Sequence, residues 1–379
     1  MVIVLLRVHF FPGLVLLLAG LGIQFFFVRR LTEAFGRRAI ITAVTAVSTV
    51  ILALGYLLDF QRILLRFPVG WSVTIECAAL VETMWLIAMF LAWPIWRKSA
   101  EFQPGRRAFL RTTSATLGVA PLIASGIGVV GRNRFRLTEV NIPIPDLPAA
   151  LQGLRIVQIT DIHLSPFLNE REFARAIDMA NETRAHIALV TGDLITRRGD
   201  PLDACLRQLA RLRAEAGVLG CMGNHEAYAK VEDYVAAEGR RIGIDFLRAQ
   251  SKVLHFGGAA LNFAGVDYQR MGSHYLRGAE RLIAPGAVNV LLSHNPDVFP
   301  VAAKQGYDLT IAGHTHGGQV DVEILHQHID VARYFTQYVR GLYTEDRSSV
   351  YVSTGLGTIG VPIRLGAPAE VSLIRLCAT

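Results

Sequence analysis

Leu154-Arg155-Ile156-Val157-Gln158-Ile159-Thr160-Asp161-Ile162-His163 decides how the chain is read. A short apolar run, Leu154–Thr160, stops at two polar side chains that can bind metal. Four more segments repeat the pattern. His186–Thr191 ends in Gly192-Asp193, and Val218–Met222 ends in Gly223-Asn224-His225-Glu226. Val288–Leu292 ends in Ser293-His294, and Asp308–Ala312 in Gly313-His314-Thr315-His316-Gly317-Gly318-Gln319. Apolar runs of this length, bounded by glycine and polar residues, read as buried strands. Residues 169–184 and Leu202–Ala214 carry apolar positions at helical spacing. Strands alternating with helices predict an α/β domain, and ligands in such domains sit outside the carboxyl ends of the strands. Packing gives no reason to end five strands in ligand side chains.

The residue types narrow the chemistry. The four cysteines, Cys77, Cys205, Cys221 and Cys377, form no CxxC pair, which argues against a disulfide framework and a thiolate zinc site. Asp, Asn and His together make a mixed oxygen and nitrogen donor set, suited to Mn, Fe or Zn rather than to Ca or Mg. In an extended segment Asp161 and His163 point to the same side and can reach one ion. His314 and His316 have the same spacing and could serve one ion or two neighbours. Asp193, alone at its strand end, suits a bridge between two ions. Glycines at 192, 223, 313, 317 and 318 allow close backbone approach. His186, His255 and His274 match no motif and read as structural. His326 and His328 read as a solvated loop, and Asp267 either supports a ligand or caps a turn.

In this order, Asp161-x-His163, Gly192-Asp193, Gly223-Asn224-His225-Glu226, His294 and Gly313-His314-x-His316 resemble the calcineurin-like metallophosphoesterase family over about residues 151–376. The tail, with Gly355-Leu356-Gly357 and Pro362-Ile363-Arg364-Leu365-Gly366-Ala367-Pro368, looks like its membrane-bound bacterial branch. The resemblance implies a four-layer α/β/β/α domain, a central β-sandwich flanked by helices, in place of the doubly wound sheet that periodicity alone suggests. It implies two divalent metal ions. The first takes Asp161, His163, Asp193 and His316; the second takes Asp193, Asn224, His294 and His314. His225 faces the phosphate and either stabilises charge or protonates the leaving oxygen. The implied activity is hydrolysis of a phosphodiester or phosphomonoester by a hydroxide that the two metals activate. Alternatives are cleavage of a nucleotide-diphospho-lipid pyrophosphate bond on the cytoplasmic face, and a non-catalytic metal-binding membrane sensor.

The chain before residue 150 is of another kind. Mean hydropathy over all 379 residues is +0.37. Residues 1–150 hold 15 Lys and Arg against 7 Asp and Glu, whereas the remainder holds 23 against 24. That basic excess lies between apolar stretches, where it reads as membrane topology rather than nucleic-acid binding. A transmembrane helix needs about 20 apolar residues. Residues 8–28, 39–58 and 73–96 meet that length, and 112–131 forms a weaker fourth candidate. Glu76 is expected at the membrane interface and Glu82 against a neighbouring helix. The loops carry four, two and five basic residues, which places the first and third in the cytoplasm and the catalytic half outside. Arg106-Arg107-Ala108-Phe109-Leu110-Arg111 resembles a twin-arginine export signal, with the export machinery as partner. The expected organisation is a membrane domain over 1–131, a proline-rich linker over 132–150 and a catalytic domain over 151–379. Anchorage makes a lipid-linked phosphate a natural substrate.

Overall fold

The computed structural model describes residues 2–35, 38–65, 69–98, 123–270, 272–324, 327–330, 332–360 and 362–379. The chain divides into two units, Met1–Val130 and Gly131–Thr379.

The first unit holds three long helices: α1 (Val2–Phe35), α2 (Arg38–Leu65) and α3 (Val69–Lys98). They cover the three apolar stretches. Polar side chains tie them together in mid-helix. Thr49 donates to Gln24 Oε1 at 2.9 Å, Tyr56 and Thr83 share a hydrogen bond at 2.7 Å, and Ser48 donates to Glu82. Glu82 therefore faces a neighbouring helix, as its position predicts. A Cβ on Gly55 would lie 2.2 Å from the Ala79 Cβ, so α2 and α3 pack closely there. The expectation of membrane spans needs correction at this level. Among the described residues no helix is long and apolar enough to cross a membrane. The fourth stretch is described only from residue 123, and the twin-arginine-like segment lies outside the described residues.

The second unit is built on two six-stranded sheets. The first contains β1 (Arg136–Ile144), β2 (Arg155–Ile159), β3 (Ile187–Thr191), β4 (Val218–Cys221), β5 (Ile244–Phe246) and β14 (Glu370–Ala378), in the order β1-β14-β2-β3-β4-β5. The second contains β6 (Gln250–Phe256), β7 (Ala259–Gly265), β8 (Val288–Leu292), β9 (Leu309–Ala312), β12 (Gly341–Glu345) and β13 (Ser348–Val352), in the order β12-β13-β9-β8-β7-β6. A separate hairpin pairs β10 (Asp321–Ile324) with β11 (Gln327–Asp330). Strands β2 to β5 run parallel, as do β7, β8 and β9.

Side-chain alternation explains the layering. On β3, Ile187 and Leu189 join the core shared by both sheets, while Ala188 and Val190 face the outer core. The shared core adds Ile156, Leu219, Phe263, Val290 and Ile311 from both sheets. Helices cover the outer faces. On the first sheet lie α4 (Glu170–Glu182), α5 (Leu202–Leu209) and α7 (Glu232–Arg241), which bring Phe173, Ile177, Leu206 and Val235. On the second lies α8 (Phe299–Gln305), with Ala302 against Leu291 and Phe299 against Val352. Asn169 caps α4 by accepting from Glu172 N while the Glu172 carboxylate accepts from Asn169 N, each at 3.0 Å. The doubly wound sheet suggested by periodicity is thus replaced by a mixed α/β sandwich.

The segment 132–150 is not merely a linker. Residues 136–144 form β1, paired along its length with β14 at the sheet edge. Pro143 is tolerated because an edge strand leaves one side unpaired.

Candidate metal centre

All five expected strands form, and their carboxyl ends converge. Beyond β2 lie Asp161 and His163, beyond β3 Asp193, beyond β4 Asn224 and His225, beyond β8 His294, and beyond β9 His314 and His316. Two sheets thus contribute to one site. Asp161 and His163 are fully buried, and Asp193, Asn224, His225, His294 and His316 nearly so; His314 is half-buried.

The way Asp161 and His163 meet differs from the expectation. Residues 160–164 are not a strand. Asp161 (φ 50°), His163 (φ 46°), Asp193 (φ 55°), His314 (φ 76°) and His316 (φ 52°) all occupy the left-handed region. Non-glycine residues rarely do so, and each carries a conformational cost that surrounding structure must offset. Here the backbone turns sharply at five ligand-type residues, and those turns, not alternation along a strand, aim the side chains inward. Two glycines make room. A Cβ on Gly223 would lie 2.2 Å from Asp193 Oδ1, and one on Gly313 2.3 Å from Asp161 Oδ2.

Polar partners outside the centre hold the turns. The buried Glu226 carboxylate accepts from Asp193 N at 2.9 Å, Leu194 N at 2.7 Å and Gly223 N at 2.8 Å. It locks the turn after β3 to the one after β4. Burial, with Asp193 nearby, raises its pKa. Asp161 accepts from His314 N, with 3.1 Å to each oxygen, and from Thr160 Oγ1 at 2.9 Å. The His294 ring donates from Nδ1 to Thr191 O at 2.7 Å, which turns Nε2 toward the carboxylates. Thr196 Oγ1 lies 3.2 Å from His163 Nδ1, and Thr196 O meets His225 Nδ1.

Among the described residues, three groups of side chains bring ligand atoms close enough to hold an ion: Asp161, His163 and His316; Asp193, His294 and His314; and His163, Asp193 and His225. His163 Nε2 lies 3.1 Å from His316 Nε2 and 3.4 Å from Asp193 Oδ2. His316 Nε2 lies 3.4 Å from Asp161 Oδ1, and His294 Nε2 lies 3.0 Å from Asp193 Oδ2. Donors held at about 2.1 Å from one ion lie roughly 3.0–3.4 Å from each other in tetrahedral or octahedral geometry. The spacings fit. So does an orphaned atom: Asn224 Oδ1 is buried without a hydrogen-bond partner. A buried polar group costs about 1–3 kcal/mol when unsatisfied, which a cation would relieve.

The electrostatics agree. Burial works against the charged form of His294, but Asp193 and Asp161 outweigh it and raise the imidazole to about 10. That attraction is the field a divalent cation would satisfy. Burial lowers His225 to about 4 and His314 to about 3, leaving neutral imidazoles with lone pairs to offer.

One residue in the quoted tail has a role that its motif did not announce. Arg364 is buried, and its Nε, Nη1 and Nη2 donate to the carbonyls of Gly357, Ala367, Thr354 and Gly355 at 2.5–3.1 Å. Burial lowers its pKa to about 10, and Asp161 opposes that shift. The loop it gathers clasps the first turn: Leu356 N donates to Thr160 O and Gly357 N to Asp161 O. Two tyrosines also border the centre. The Tyr228 ring lies 5.7 Å from that of His225, and the Tyr268 ring 5.7 Å from that of His314. No spacing rule points to either. Asp267 supports no ligand; it pairs with Arg248 at 2.8 Å. His186 accepts from Arg155 N at 2.9 Å, a structural role as expected. His326 lies outside the described residues.

Residues 154–318 match the calcineurin-like phosphoesterase family. That stretch of the second unit is a calcineurin-like phosphoesterase domain, a hydrolase domain acting on phosphoester bonds. Among curated proteins it is similar to a zebrafish (Danio rerio) transmembrane protein with metallophosphoesterase domain, at 28% identity over 74% of this chain and 65% of that protein. Its bovine (Bos taurus) counterpart matches at 28% over 76% and 67%. An uncharacterized metallophosphoesterase of Bacillus subtilis matches at 26% over 72% of this chain and 98% of its own length. The chain thus spans about two thirds of the two vertebrate relatives it matches.

Proposed function

We propose that the second unit hydrolyses a phosphate ester at a centre of two divalent ions, Mn, Fe or Zn. The observation that carries this reading is the convergence of six ligand side chains, spaced for metal coordination, from the ends of four strands, with the partnerless Asn224 Oδ1 buried beyond a fifth. Asp161, His163, Asp193 and His316 would hold one ion; Asp193, Asn224, His294 and His314 would hold the other. Asp193 reaches both groups with one carboxylate. When bound, two such ions supply Lewis acidity toward the phosphoryl oxygens and lower the pKa of water.

The chain's own residues orient and neutralise. Glu226 fixes the turns that carry Asp193 and Asn224, so the ligands do not reorganise as charge develops. His225 sits on the same side as Asp193, 4.0 Å from Oδ2 through Nε2, with Nδ1 held by Thr196 O. An anionic phosphate beside it favours the imidazolium, opposing the effect of burial. In that form Nε2–H donates to a phosphoryl or leaving-group oxygen.

The first unit associates with a membrane, as the names of two relatives suggest, with the catalytic unit outside the cytoplasm. The apolar surface of its three long helices supports the association: Val15, Leu18, Phe25, Val44, Val47 and Leu91 are each at least half exposed. Anchorage favours a membrane-associated or lipid-linked phosphate.

The test is turnover of bis(p-nitrophenyl) phosphate by the full chain with added manganese. Metal-dependent hydrolysis that Asp193→Asn abolishes is expected. Equal rates with and without chelator would reject the mechanism.

A further inference from the structure

A cleft of about 410 Å³ opens beside the metal centre. Its inner wall is formed by His314 and His316, and its outer wall by Pro296, Val320, Phe335 and Ile359. The volume is that of a small-molecule site. Continuity with two ligand residues ties any occupant to whatever binds at the metals.

The chemistry of the lining selects the occupant. Several polar side chains border the cleft, but their polar atoms are engaged elsewhere in the protein. Gln319 donates to Ile359 O at 3.0 Å and accepts from Ile359 N at 2.8 Å. Asn295 donates to Gln269 O at 2.8 Å and accepts from Asp297 N at 2.9 Å. Thr336 donates to Asp297, and Thr315 to Val339 O. A sugar or nucleobase entering here would lose water without regaining those hydrogen bonds, which is costly. A hydrocarbon has no hydrogen bonds of its own to forfeit; its cost is the water displaced from the Asp297 carboxylate, which already accepts from Thr336. On the lining, Phe335 is 66% exposed. Large aromatics left in water beside a built cleft mark a binding surface.

We propose that this cleft seats an aliphatic arm of the substrate, so that the phosphate ester cleaved at the metals carries a hydrocarbon chain lying across Pro296, Val320, Phe335 and Ile359. The proposal rests on the phosphoesterase reading and names the substrate's chemical class within it.

The experiment uses the full chain in lipid nanodiscs with added manganese and a series of p-nitrophenyl phosphodiesters. The second ester group is methyl, butyl, hexyl or thymidine. Each fully buried methylene contributes roughly a fourfold gain. With partial burial, the hexyl-to-methyl ratio in kcat/KM is expected to exceed about 30. Phe335→Ser and Ile359→Ser should each reduce that ratio several-fold, read within each variant so that changes in protein quality cancel. Phe335 is exposed, so its replacement is compatible with folding. A ratio near one in the wild type would overturn the proposal, as would a ratio that neither substitution changes. Preference for the thymidine ester over the hexyl ester would assign the cleft to a nucleobase instead. Failure to turn over any ester of the series, the hexyl ester included, would overturn the hydrolytic reading, and the aliphatic subsite with it. Turnover without chain-length dependence would remove the subsite alone.

Discussion

Asp193 and His225 stand within 4.0 Å of each other, yet the account gives them different work. Asp193 belongs to two of the ligand groups; the buried His225 ring packs edge-on against His163 on one side and Tyr228 on the other. His225→Ala should therefore retain its metal while turnover falls by about 10²-fold or more, the scale of a positioned acid or base. Metal content and kcat measured on the same preparation check this. Loss of an ion from that variant would make His225 a ligand, the role its place beside His163 and Asp193 also permits. At this scale the sequence was readable where chemistry concentrates in short motifs. Six of the expected ligands and His225 lie in three groups of mutually close side chains, and Asn224 is buried at the end of β4. What the sequence concealed was how they are brought together. The x between Asp161 and His163 suggests alternation, but both residues adopt positive φ. Left-handed backbone at Asp or His leaves no trace in composition; only neighbouring glycines, here Gly192 and Gly313, hint at tight turns.

Elements were legible in proportion to their periodicity. The five strands that end in ligands and helix α4 fall within a few residues of their expected bounds. The expected helix Leu202–Ala214 ends early, at Leu209. Residues 136–144 were read as linker because Pro143 and Pro145 argue against a central strand, yet β1 is an edge strand, where proline is permitted. Its partner β14 lies more than 200 residues away in sequence, so no local signal announces the pairing. Arg364 was hidden for a similar reason, since its partners are main-chain carbonyls, which any sequence supplies. The loop it gathers supports the turn at Asp161. Arg364→Lys keeps the charge but loses the planar set of donors. Loss of several buried hydrogen bonds should lower stability by about 2–4 kcal/mol. Urea unfolding of the catalytic unit within the full chain would measure it, with weaker metal retention expected alongside. Unchanged stability would mean that the loop holds itself.

Two units of contrasting composition share one chain, and the basic excess of the first sets the expectation for the whole molecule. On the proposed membrane association, the four, two and five basic residues of the loops predict that the first and third face the cytoplasm. The catalytic unit is then expected outside. Protease treatment of intact spheroplasts carrying a tag after Thr379 should digest the tagged unit. Protection until lysis would place it in the cytoplasm. Replacing Arg106 and Arg107 by Lys should trap the unit inside if the twin-arginine resemblance is functional. A unit that is outside but indifferent to that change would retain the orientation and lose the export signal.

The central claim is a centre of two ions bridged by Asp193. Its most direct test is the metal stoichiometry of the full chain after chelation and reloading with manganese, measured by elemental analysis. The account predicts about two ions per chain, as a bridged two-metal site requires. Asp193→Asn should weaken retention of both. Saturation at one ion per chain, with the second group of His294, His314 and Asn224 left empty, would contradict it.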